Sequence, residues 1–219
     1  MVASLTPGRR TDPPRIDRAS VGFVTDAGIP RTAVGAIVVA GGRSTRFGSD
    51  KLVTEVGGRA LVLHAVDAAR AVAAQLVVVG PVTDVLPDDV TVVREDPPHS
   101  GPYAAVAAGL AALDADATVV VVLAGDLLDP APLLPALLDA LQGPQHSGPV
   151  RPEAAVAVDA EGRRQPLLAA YRVDPLLAGV SGVDPQGRAA YALLDGLHVV
   201  EVADLGMHAR DVDAPTDLP

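Results

Sequence analysis

From Val34 onward the chain alternates short, unbroken apolar runs with longer stretches whose apolar residues recur at helical spacing. The runs are 36–40 (AIVVA), 76–79, 90–93 and 118–124. A strand with one wet face alternates apolar and polar residues, whereas an unbroken run needs cover on both faces. Between the runs, residues 61–74 are Ala-rich and free of Gly and Pro. Tyr103, Val106, Leu110 and Leu113 share a helical face after Gly101-Pro102, and Pro suits a first helical turn. Leu133, Leu134, Leu137, Leu138 and Leu141 form a further stripe. Strand–helix alternation of this kind predicts an α/β fold, a mostly parallel sheet between two helical layers.

After Gly143 the rhythm changes. Residues 142–152 read as a loop, and 154–158 with 165–171 around Asp159-Ala160-Glu161-Gly162 read as a hairpin extending the same sheet. Two short helical segments, 175–180 and 188–194, precede a last strand at 198–202. Residues 1–32 carry four prolines and five arginines without an apolar period, which predicts a flexible extension ahead of one domain over 33–219. Arg9-Arg10 is followed by TDPPRIDR rather than an apolar segment, so it does not read as an export signal, and a cytoplasmic protein is expected.

Composition excludes several classes. There is no cysteine, so disulfide frameworks, thiolate metal sites and thiol nucleophiles are absent. A net charge of −10 and an aromatic content of 2% argue against a nucleic-acid binder. Apolar runs stop well short of the roughly 18 residues a membrane span needs.

Against this acidic background one segment is cationic. The run 36–51, AIVVAGGRSTRFGSDK, leaves a buried strand through Gly41-Gly42 and carries Arg43, Arg46 and Lys51 against the single carboxylate Asp50. Glycine lets backbone approach a ligand closely, and parallel sheets bind ligands at the carboxyl ends of their strands. Lys51 is the only lysine; the other sixteen basic residues are arginine. A compact ammonium on a flexible stem meets a phosphate as a point charge, which a planar guanidinium does not reproduce. The spacing fits neither a Walker A loop nor a G-x-G-x-x-G fingerprint. Asp126 follows the uncharged run VVVVLAG and therefore belongs at the tip of a buried strand, on the same edge as the glycine turn. One carboxylate there suits Mg²⁺, which prefers one or two carboxylates plus phosphate oxygens and water. Asp129, before Pro130, reads instead as a helix cap, and His64 as a structural residue.

The segment AGGRSTRFGSDK is similar to the A-G-G-x-S-x-R-M-G-x-D-K signature of the molybdenum cofactor guanylyltransferases, the MobA-like nucleotidyltransferases. The resemblance extends to Glu95-Asp96 with Gly101-Pro102, to Gly125-Asp126, to RQPLLAAYR at 164–172 and to DVDAPTDL near the carboxyl terminus. It implies a three-layer α/β/α sandwich with a Rossmann-like sheet, GTP and Mg²⁺, and transfer of GMP to molybdopterin with release of pyrophosphate. By the same resemblance Val39, Ala40, Gly41, Gly42, Ser44, Lys51, Asp96 and Gly101 bind the nucleotide. Arg46, Lys51 and Asp126 carry the chemistry, and Asp126 with Asp213 holds the metal. A transient contact with molybdoenzyme-maturation proteins is also implied. Phe47, Tyr103, Ala105, Leu128 and Ala214 depart from the family pattern, and Gly80 stands where a nucleotide-contacting asparagine is common. These departures leave open a MobA-like enzyme that uses CTP or another phosphorylated acceptor, and a non-catalytic nucleotide-binding or chaperone protein.

Overall fold

A computed structural model describes residues 28–41, 51–82, 84–143, 150–206 and 208. In chain order the elements are β1 (Val34–Val39), a two-strand ribbon β2 (Glu55–Val56) and β3 (Arg59–Ala60), α1 (Leu61–Val72), β4 (Gln75–Val79) and β5 (Thr91–Val93). Next come α2 (Pro102–Ala111), β6 (Val119–Ala124), α3 (Leu134–Gln142), the hairpin β7 (Ala154–Val158) and β8 (Arg164–Arg172), α4 (Val173–Val180) and β9 (Val199–Ala203). Seven strands form one sheet in the order β5-β4-β1-β6-β8-β7-β9. β5, β4, β1 and β6 run parallel, β8 is antiparallel to both β6 and β7, and β9 is parallel to β7.

The apolar runs split their side chains between two cores. Ala36, Val38, Val121 and Leu123 pack beneath α1 and α3. Ile37, Val39, Val120 and Val122 face the other way, toward α2 and Leu176 of α4. Every residue of β1 is buried, which is why none is polar. Small residues bring the helices close: a Cβ at Gly109 of α2 would lie 2.7 Å from Ile37. The result is the expected three-layer sandwich.

Two local outcomes differ from the sequence expectations, and a third adds to them. The hairpin joins the same sheet, but its second strand lies inside, between β6 and β7, because all of Leu168–Tyr171 can be buried between layers. The segment expected to be helical at 188–194 forms only a 3-10 turn, Ala190–Leu194. Ile29 is buried in the core beneath α1, and Arg31 donates to the carbonyls of Ala73 (3.0 Å) and Arg70. Packed structure therefore begins inside the stretch assigned to the extension; residues 1–27 lie outside the described residues. The hairpin turn is fixed by Asp159, whose carboxylate accepts N–H bonds from Glu161 (3.0 Å) and Arg163 (2.9 Å).

Tyr171 of β8 is wholly buried, its hydroxyl donating to the Pro166 carbonyl at 2.8 Å, and burial pushes its phenol far above the ordinary range. The unfolded phenol ionises near pH 10 while the folded one does not. Its contribution to stability is therefore complete below about pH 10 and falls by roughly 1.4 kcal/mol per unit above it. Denaturant titrations at pH 8 and pH 11 should show a steeper loss for the wild-type chain than for Tyr171→Phe.

Candidate active site

Because β1, β4, β5 and β6 are parallel, their carboxyl ends share one edge. In chain order β1 is followed in the parallel part by β4 on one side of it and β6 by β7 on the other, so the direction of the strand order switches between β1 and β6. Ligands of open α/β sheets bind at such a point. The ladder continues to the last residue of each strand: Ala40 N–H donates to Val79 O at 2.8 Å, Gly125 N–H to Val39 O at 2.9 Å, and Gly80 N–H to Val93 O at 3.0 Å.

Glycine at position 80 is dictated by this convergence. A Cβ there would stand 2.3 Å from the carbonyl oxygen of Ala40, a backbone atom that cannot yield. The asparagine common at this place in the resembling family has no room on this backbone. Gly41 follows β1 and is exposed, so backbone is presented directly at the crevice.

Lys51 reaches the rim from a 3-10 turn, Lys51–Val53. Its neighbour Leu52 is buried over the end of β6, 3.5 Å from where a Cβ of Gly125 would be. Leu52 thus anchors the turn, and the ribbon β2–β3 carries the chain on into α1, with His64 Nε2 3.2 Å from the Val56 carbonyl. The Lys51 side chain is 10% exposed, and its ammonium lies 2.7 Å from Oδ2 of Asp126, which is 25% exposed. A buried lysine requires such a partner. The single lysine of the chain and the aspartate at the tip of β6 are 75 residues apart in sequence and in direct contact in space.

Of the other residues singled out from sequence, Val39 and Ala40 end β1 and are buried. Gly101 opens α2 at the same edge with φ +101°. Asp96 is exposed just beyond β5. Gly42, Ser44, Arg46 and Asp213 lie outside the described residues. Asp129 is not a helix cap: its side chain is 69% exposed, and neither the 3-10 turn Ala131–Leu133 nor α3 has a side-chain cap. Prolines 130, 132 and 135 remove amide donors that a cap would satisfy. Sequence reasoning overlooked Glu95, which is buried next to Gly41. Its signal was weak: between exposed Arg94 and Asp96 in extended chain, the middle residue faces inward.

Among the described residues, no three His, Asp or Glu side chains converge. A lone rim carboxylate fits a hard cation that takes one or two carboxylates and fills its other positions with phosphate oxygens and water. No helix among the described residues is long and apolar enough to cross a membrane.

The MobA-like NTP transferase domain matches residues 36–199, most of the chain, from within β1 to the first residue of β9. The chain belongs to the MobA-like NTP transferase family. A protein of Pyrococcus horikoshii described as a "Probable molybdenum cofactor guanylyltransferase" is 56% identical over 32 residues, which is 15% of this transferase and 17% of that protein's length. Molybdopterin-guanine dinucleotide biosynthesis protein A of Archaeoglobus fulgidus is 20% identical, covering 84% of this chain and 94% of its own, with a TM-score of 0.61. Rv0371c of Mycobacterium tuberculosis, solved in complex with manganese, is 20% identical over 78% of this chain and 88% of its own, with a TM-score of 0.56. At these identities the two structures share the fold.

The contact between Lys51 and Asp126 is measurable without substrate. A double-mutant cycle of Lys51→Ala and Asp126→Ala, read by denaturant unfolding, should return a favourable coupling of about 0.5–3 kcal/mol. Strictly additive effects would mean the two groups do not interact in solution.

Proposed function

We propose that this transferase moves GMP from GTP to the terminal phosphate of a molybdopterin-type acceptor and releases pyrophosphate. The reading is supported above all by the 2.7 Å contact between Lys51 and Asp126 at the edge where Gly41 exposes backbone. The short stretch shared with the Pyrococcus protein favours guanylyl transfer to that acceptor.

In this reaction an acceptor phosphate oxygen attacks the α-phosphorus, a new P–O bond forms, and the bond to the bridging oxygen of pyrophosphate breaks with its electron pair. The acceptor phosphate is already an anion at neutral pH, so the enzyme needs no strong base. It must instead bring two anions together and stabilise charge as it moves onto the leaving group, a task of positioning and electrostatics. Lys51 supplies a fixed positive charge for the triphosphate. Arg46 is assigned the same work, and backbone at Val39, Ala40, Gly41 and Gly42, together with Ser44, Asp96 and Gly101, positions the nucleoside. Asp126, with Asp213, would hold Mg²⁺, which neutralises phosphate oxygens when bound. Lys51 and Asp126 are 2.7 Å apart, so the charge that would meet phosphate and the carboxylate that would hold the ion lie side by side. We assign the reaction to the cytoplasm, with a transient hand-over to molybdoenzyme-maturation proteins.

Losing one such electrostatic contact typically costs about 10²–10³-fold in rate. Pyrophosphate release with Mg²⁺, molybdopterin and each of the four NTPs should be strongest with GTP. It should fall by about that factor in Lys51→Ala and in Asp126→Ala, with the far-ultraviolet circular dichroism of each variant unchanged. Near-normal release from either variant would overturn its role, and equal rates with CTP would overturn the choice of base.

A further inference from the structure

β9 runs in the same direction as β6 and ends at the same edge, with β7 and β8 standing between them. Paired strands lie about 4.8 Å apart, so about 14 Å separates the two strand ends. The chain returns across that width in a few residues. Just beyond β9 the buried Asp204 donates its N–H to the Val158 carbonyl at the end of β7, 2.9 Å away. His208, its side chain 21% exposed, then has Nδ1 3.0 Å from the carbonyl oxygen of Asp129 and 3.8 Å from Oδ2 of the same residue. A carbonyl oxygen only accepts, so Nδ1 carries the hydrogen and donates it. Gly206 makes the return possible: a Cβ there would run into Nε2 and the two ring carbons beside it.

Asp129 lies in the loop after β6, shortly beyond Asp126. That loop is fastened at its start by the bond from Gly125 N–H to Val39 O. Leu127 holds it to the core, and Leu128 packs against Val56 and Leu61. Pro130 has no N–H to offer at the far end, and there the His208 bond fastens it. We infer that His208 is a positioning residue for the metal carboxylate: it clasps the carboxyl-terminal chain to this loop and so keeps Asp126 where it would meet the ion. The inference rests on the transfer reading above, in which Asp126 holds a divalent cation, and adds to it a residue that acts through Asp129. A carboxylate on a loosened loop must be ordered when the cation arrives, and that ordering lowers affinity. Groups that orient a metal ligand typically contribute about 10- to 100-fold in metal affinity, and a clasp working through the backbone belongs at the lower end, about tenfold.

The test is equilibrium binding of α,β-methylene-GTP to the full chain, once with Mg²⁺ and once with EDTA; the ratio of the two affinities is the gain due to the metal. His208→Leu removes the donor and should cut that gain about tenfold while leaving the affinity in EDTA unchanged. His208→Asn sets an amide N–H close to the place of Nδ1 and should restore the gain. Gly206→Ala should displace the imidazole and act as His208→Leu does, yet do no harm when combined with His208→Asn, which lacks the ring atoms a Cβ would meet. A merely structural role would weaken binding equally with and without Mg²⁺, and that result would overturn the inference. So would a His208→Asn variant no better than His208→Leu, or, should His208→Leu fail to fold, an unaltered gain in Gly206→Ala. A wild-type chain that binds the analogue no better with Mg²⁺, or not at all, would instead remove the metal-dependent transfer reading, and the inference with it.

Discussion

A sheet covered on both faces can place polar groups only where its strands stop. β1 and β6 are buried along nearly their whole length, so the chemistry of the layer is forced onto the edge where both end. The polar residues found there are correspondingly few and specific. Lys51 and Asp126 meet across that edge from separate elements, each delivered by apolar packing: Leu52 over Gly125 for one, the core of β6 for the other. The ion pair is therefore a result of how the layers close. The same closure leaves backbone at Gly41 open, because the residue after β4 is a glycine, Gly80, that lets the backbone of Ala40 pass.

Much of this arrangement was legible in the sequence because both-face burial has an unmistakable signature. The runs at 36–40, 76–79 and 118–124 each became a strand of the parallel part within two residues of its expected ends. Asp126 was legible for the same reason, since an ionisable residue just after such a run sits at a strand tip. What periodicity does not carry is strand order. AAVAV and PLLAAY are both apolar enough for the interior, and only long-range pairing decides that β8 lies beside β6. The β2–β3 ribbon had a glycine-pair turn signal at Gly57-Gly58, but two-residue strands are too short to show a period.

The site was legible in a more partial way. The single lysine drew attention through composition, and the structure sets it on the aspartate rather than free in the crevice. Glu95 was passed over because its neighbour Asp96 occupies the position that the family resemblance marks. Burial separates the two: the exposed residue faces water, whereas its buried neighbour faces the glycine turn. Chemical type alone does not distinguish adjacent carboxylates; the direction each takes from an extended backbone does.

A net charge of −10 opposes the approach of a triphosphate. Screening resolves the conflict. At physiological salt the Debye length is about 8 Å, so carboxylates scattered over the surface barely reach a ligand seated at the strand ends. Charges within the crevice act through a medium less polar than water and count for far more. On the proposed reading, the Lys51 ammonium, 10% exposed beside Asp126, would count for more at a bound triphosphate than any one distant acid. The acidic surface also has a consequence for selection. The field away from the site would repel polyanions such as nucleic acid, whereas a small metal-neutralised triphosphate, the substrate proposed above, would meet the local charge only after it had entered. On the function proposed above, the acidity of the surface and the solitary lysine would act together, admitting a nucleotide and refusing its polymers.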